Sequence, residues 1–244
     1  MSLRTPFEPS EPQPPADGGV TVGPGPRTAY ASPAGLGCTG RFAARFAWDA
    51  PGAHEGVLLD GPFPVTGDSR LSYCILPEDG PAGGRDATPF VSPALVLDDG
   101  SRLSTLHPLD VHGIALTPTA QGEARILLPR QWNLVECDLP AALAGRVVTS
   151  VVVRADARTA GTVWIDDVSL APRPVVPTDP VDLVDTRRGS NSGFTFSRGN
   201  TFPATALPNA AVFLSPATRR SLDWFYCWAD HNTPSGYPAL EGLV

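Results

Sequence analysis

"RFAARFAWDAP" (residues 41–51) places Phe42, Ala44, Phe46 and Trp48 on one side of an extended chain and Arg41, Arg45 and Asp49 on the other. Alternation of this kind marks a strand with one face buried and one face wet. A helix would instead space its apolar positions three and four apart. The alternation returns in "RLSYCILP" (70–77), with Leu71, Tyr73 and Ile75 on one side. "PALVLDDGSRLSTL" (93–106) sets two short apolar arms around Asp99-Gly100, a dipeptide suited to a tight hairpin turn. "ARILLP" (124–129), "WNLVECDLP" (132–140), "RVVTSVVVRAD" (146–156) and "TVWIDDVSLAP" (162–172) read as further strands. Only "PAALAGR" (140–146) suggests a helical turn. Short strands punctuated by turn residues predict an all-β sandwich over residues 37–172.

Around this block the composition changes. Residues 1–36 are rich in Pro, Gly and Glu without sustained periodicity, and they read as an irregular lead-in. "PRPVVPTDP" (172–180) carries four prolines in nine residues, so residues 173–180 form a stiff linker. Residues 181–244 then hold too few strand candidates to close a sheet of their own, which makes them a partial second β-domain.

The 244 residues suffice to bury a sizeable core. A formal charge of -7 and a pI near 5.0 argue against a nucleic-acid partner, since phosphate recognition needs clustered cations; that all 18 Lys-plus-Arg positions are Arg reads as codon usage, not function. No apolar run approaches the roughly 18 residues of a membrane helix, so no membrane partner is expected. "MSLRTPFEPSEPQPPADGG" lacks the apolar core of a secretory signal, so with Met1 as the true start the chain is expected to be cytoplasmic.

Candidate chemistry is sparse. Cys38, Cys74, Cys137 and Cys227 are widely spaced with no CxxC pair, so no structural zinc site is expected. Cys74 and Cys137 sit in strand-like runs and read as buried free thiols. His107, Asp110 and His112 fall within six residues, which permits a metal pair but suits a hydrogen-bonded loop histidine better. There is no GxSxG elbow and no Gly-rich turn opening a helix. Asp98-Asp99 and Asp166-Asp167 are adjacent acids; strand neighbours point to opposite faces, so neither pair is expected to converge.

"WIDDVSL" (164–170) is similar to the last strand of jelly-roll sugar-binding modules of the galactose-binding type. That similarity implies a structural calcium held with help from Asp166 and Asp167; the plainer alternative is a polar edge beside a buried Trp164. Near the end, "LDWFYCWADHNTPSGY" (222–237) interleaves Trp224, Phe225, Tyr226 and Trp228 with Asp223, Asp230, His231 and Asn232. Aromatic faces stack on the C–H side of a pyranose while carboxylates and amides take its hydroxyls, although core aromatics are an equal reading.

"VDLVDTRRGSNSGFTFSRGNTFPATALPNAAVFLSPAT" (181–218) resembles the segment that opens the catalytic region of glycoside hydrolase family 92, the calcium-dependent α-mannosidases. Asp185, Gly189, Gly199, Thr201, Phe202, Pro203, Ala204, Pro208, Ser215 and Pro216 carry the resemblance, and Asp223-Trp224-Phe225-Tyr226 looks like the aromatic stretch that follows. Many members have a His where this chain has Asn200. The resemblance implies an accessory sandwich in front of a catalytic region, mannose-containing glycans as partners, and a family often exported. It further implies that Arg198, Gly199, Asn200, Thr201, Phe202, Trp224 and Tyr226 line the sugar site. Inverting glycosidases need an acid and a base about 6.5–9.5 Å apart. In this family both come from a C-terminal helical barrel, which this sequence does not contain. The chain alone is therefore expected to be inactive. A stand-alone carbohydrate-binding sandwich and a protein-interaction sandwich are the competing expectations.

Overall fold

The computed structural model describes residues 3–29, 34–78, 90–175, 177–184, 213–217 and 239–243. The chain divides into two compact units, Met1–Ala29 with Ala34–Pro174, and Tyr30–Pro33 with Val175–Val244. The first is an all-β sandwich. Its larger sheet follows the order β2 (Val20–Pro24), β3 (Phe42–Trp48), β9 (Gly161–Pro172), β5 (Ser69–Pro77) and β7 (Asn133–Asp138), with β1 (Leu3–Thr5) also paired to β9. The smaller sheet is β4 (Gly52–Pro64), β8 (Val147–Ala157) and β6 (Val91–Leu97). Every pairing is antiparallel.

The alternation read in the sequence decides which side chains fill the space between the sheets. Phe46 and Trp48 of β3, Leu71, Tyr73 and Ile75 of β5, and Val163 and Ile165 of β9 meet Leu59, Val91, Leu95, Val151 and Val153 of the smaller sheet in one core. The Trp48 indole N–H, taken out of water, donates to the Thr159 carbonyl at 2.8 Å. Gly161 leaves room for that ring: a Cβ there would lie 2.6 Å from Trp48 Cζ2.

The structure corrects the sequence reading in four places. The lead-in is not irregular throughout, because β1 pairs with β9 and β2 with β3, while Leu3, Phe7 and Val20 are buried in the core. The Asp99-Gly100 turn forms, with Gly100 at φ 77° and a bridge from Val96 to Arg102, but the returning arm curls into a 3₁₀ turn at Leu103–Leu106. "ARILLP" is no strand; it leaves a short helix α1 (Pro118–Ala124), whose N-cap Thr117 accepts from Ala120 N–H and whose first residue is Pro118. The helical turn expected at 140–146 is a 3₁₀ turn at Ala141–Leu143.

In the second unit, β10 (Phe213–Ala217) pairs antiparallel with β11 (Ala239–Leu243), and a 3₁₀ turn spans Pro180–Leu183. Among the described residues no helix is long and apolar enough to cross a membrane.

Candidate functional site

The outer face of the larger sheet carries the chemistry, because the inner positions are spent on the core. Register fixes its layout. Leu134 on β7 lies opposite Cys74 on β5, and Cys74 lies opposite Asp166 on β9. One step along, Leu76 lies opposite Trp164, and Trp164 opposite Arg45. Leu76, Trp164 and Ala43 form a second small apolar cluster, with Trp132 and Ala29 packed against it. Trp132 is half-buried, while Leu134 is 58% exposed. The Trp164 indole donates to Glu78 Oε1 at 2.7 Å.

The other end of this face is polar. Arg70 Nε donates to Asp138 Oδ1 at 2.7 Å and its Nη1 to Glu136 Oε1 at 3.1 Å, and Arg173 reaches Asp138 Oδ2 at 3.4 Å. The Arg70 guanidinium beside it holds the Asp138 carboxyl below the usual carboxylate range.

Between the two ends β9 is bulged. From Ser72 to Cys74 on β5 the partner strand advances from Ser169 to Asp166, one residue more than a regular ladder allows, and Asp167 takes φ 49°. The bulge breaks the alternation on which the sequence expectation for Asp166-Asp167 rested. The two acids converge on one residue instead. Asp166 Oδ2 accepts the Thr39 N–H at 3.0 Å, and Asp167 Oδ2 accepts the Thr39 hydroxyl. Asp166 Oδ1 accepts the Asp167 N–H at 2.7 Å. Gly37 lets the loop come this close, since a Cβ there would lie 2.6 Å from Asp166 Oδ2.

Asp166 is fully buried. Burial above all, aided by the neighbouring Asp167 charge, pushes its carboxyl up to about 8, against the pull of the N–H groups of Thr39, Asp167 and Cys38. The same loop delivers Cys38. Its Sγ, the Cys74 Sγ and a carboxylate oxygen of Asp167 all lie within 4.8 Å of one another. Cys74, burial and both aspartates raise the Cys38 thiol far above its ordinary value. Asp167 Oδ1 is shielded from solvent and has no hydrogen-bond partner.

Calcium does not fit this arrangement. It requires six to eight hard oxygen ligands. Here two sulfurs stand in the cluster, and both oxygens of Asp166 already accept backbone N–H groups.

His107, Asp110 and His112 do not assemble. Asp110 is buried, and it accepts from His112 N–H, Ile114 N–H and the Gln121 amide at 2.8, 2.9 and 3.0 Å, tying a turn to α1. Both histidines are exposed. Asp98 and Asp99 are taken by Arg146. Arg198, Gly199, Asn200, Thr201, Phe202, Trp224 and Tyr226, expected to line a sugar site, lie outside the described residues. Sequence reasoning missed the Cys38–Cys74 approach altogether; the pairing of β5 with β9 sets Cys74 beside Asp166, the Thr39–Asp166 bond brings the Cys38 loop to the same place, and no local spacing carries that signal.

No protein-family model matches the chain. No curated protein matches it. Among solved structures it is similar to TmCBM61 in complex with β-1,4-galactotriose, at 15% identity and a TM-score of 0.33, over 71% of this chain and 88% of the other. A second similar structure, a complex with a xylogluco-oligosaccharide, has 8% identity and a TM-score of 0.41, over 70% of this chain and 39% of the other. A third, a fragment comprising domains CD, has 8% identity and a TM-score of 0.37, over 63% and 60%. The sandwich itself rests on strand order and register.

Proposed function

We propose that the sandwich is a glycan-binding module. The observation that carries this reading is the outer face of the larger sheet, where the half-buried Trp132 stands at one end of β7 and the Arg70–Glu136–Asp138 group at the other. Asp138 stands six positions along the chain from Trp132, roughly 20 Å of sheet face, which suits an extended oligosaccharide better than a single sugar. An indole offers its face to sugar C–H groups, and a guanidinium flanked by carboxylates offers donors and acceptors to hydroxyls. The work assigned to the protein is binding, with no bond made or broken.

The finer reading makes mannose-containing glycans the ligand and sets the module in front of a family 92 catalytic region. It rests on the motif in residues 181–218, and the carboxylates of such a catalytic centre would come from a helical barrel outside this sequence.

A glycan array probed with the full chain tests both levels. Retention on oligosaccharides, lost on Trp132→Ala with an unchanged melting temperature, supports the module. Preference for mannose-containing glycans supports the finer reading. Silence across the array contradicts both.

A further inference from the structure

We propose that Cys38, Cys74 and Asp167 form a binding site for one thiolate-preferring divalent cation, with zinc as the representative ion. The three donors come from separate parts of the chain: the loop before β3, the middle of β5 and the bulge of β9. Their ligand atoms nevertheless lie within 4.8 Å of one another. Zinc holds sulfur at about 2.3 Å and carboxylate oxygen at about 2.0–2.2 Å, so its tetrahedral ligands stand roughly 3.5–3.8 Å apart. A small inward movement of the side chains meets that spacing.

A second observation points to the same place. Asp167 Oδ1 is a buried acceptor with no partner, although its sister oxygen is bonded to the Thr39 hydroxyl. Leaving such an atom unsatisfied is costly, more so when the group is charged. A bound cation would satisfy it. The charge pattern agrees, because two thiols and two carboxylates, of which Cys74 and Asp166 are buried and Cys38 and Asp167 half-buried, stand together, and among the described residues their hydrogen bonds include no basic partner. An ion there removes the mutual repulsion and favours the thiolates over the thiols. Binding releases the thiol protons to solvent as two metal–sulfur bonds form, so affinity rises with pH.

Asp166 has a different part. With both oxygens engaged by backbone N–H groups it positions the Cys38–Thr39 loop, and it is not counted among the ligands. Soft sulfur donors separate this site from the calcium site expected of sugar-binding sandwiches, and the inference stands whether or not the sandwich binds glycan.

The test uses the full chain, reduced and freed of metal by a chelator that is then removed. Zinc titrated against a chromophoric competitor should bind at one equivalent per chain, and a hundredfold excess of calcium should not displace it. Cobalt(II) should give an intense thiolate-to-metal charge-transfer band. Cys38→Ser and Asp167→Asn should each weaken zinc at least tenfold, while Cys227→Ser should leave it unchanged. The wild-type cobalt spectrum needs no variant, so misfolding of Cys74→Ser would not cloud the answer. No stoichiometric binding, a cobalt spectrum without the band, or a Cys38–Cys74 disulfide that persists under reductant would each overturn the proposal.

Discussion

Thr39 and Asp166, 127 residues apart, are joined by an N–H to carboxylate bond of 3.0 Å that pins the loop before β3 to the bulge of β9. A fully buried carboxyl makes this bond. Its folded-state pKa is raised, so in the metal-free protein the fold favours the protonated form. The unfolded chain ionises the same group near 3.8. Stability should therefore fall as pH rises from about 4 to about 8 and level off above that. Denaturant melts with chelator present, across that range, should show this slope, and Asp166→Asn should flatten it.

Gly37 is the narrow point of the same corner. Gly37→Ala would drive a methyl toward Asp166 Oδ2 and the Phe42 carbonyl, at 2.6 and 2.4 Å before any adjustment. The loop should shift outward, carrying Cys38 with it. Zinc affinity should drop at least tenfold, with a loss of about 1–3 kcal/mol in stability for the overpacking. An unchanged affinity would separate the loop from the metal site.

The N-terminal segment belongs to the core. Phe7 is wholly buried, and Phe7→Ala should destabilise the sandwich by about 3–5 kcal/mol, seen as an earlier midpoint in urea with little change in slope. If residues before 37 were an appendage, the midpoint would not move.

The strands of the sandwich were legible where one face is buried and the other wet. β3 and β5 could be read from Phe42–Trp48 and Leu71–Ile75 directly, because successive side chains point to opposite faces and the inward ones there are apolar. β1 and β2 were missed because Leu3–Thr5 and Val20–Pro24 are too short to show a period, and their neighbours are mostly Pro and Gly. α1 was missed for a similar reason: seven residues with Gly122 in the middle carry little amphipathic signal, although Thr117-Pro118 is a fair start marker. The Cys38–Cys74–Asp167 corner was illegible for a deeper reason. Nothing in local spacing encodes a long-range pairing, and the bulge that turns Asp167 is a property of two strands together.

The charged end of the outer face should matter for ligand and little for folding. Arg70 is partly exposed and its ion pairs with Glu136 and Asp138 are solvent-screened, so Arg70→Ala should cost under about 1 kcal/mol of stability. Glycan affinity should fall several-fold in the same variant. Calorimetric titration beside a thermal melt checks both halves at once.

The most direct measurement is a chemical-shift map of the full, isotope-labelled chain during titration with an oligosaccharide retained on the array. Shifts should concentrate at Trp132, Leu134, Glu136 and Arg70, with the Trp132 indole N–H among the largest. A map that leaves this face unmoved while other surfaces respond would contradict the assignment of the sheet face as the glycan platform.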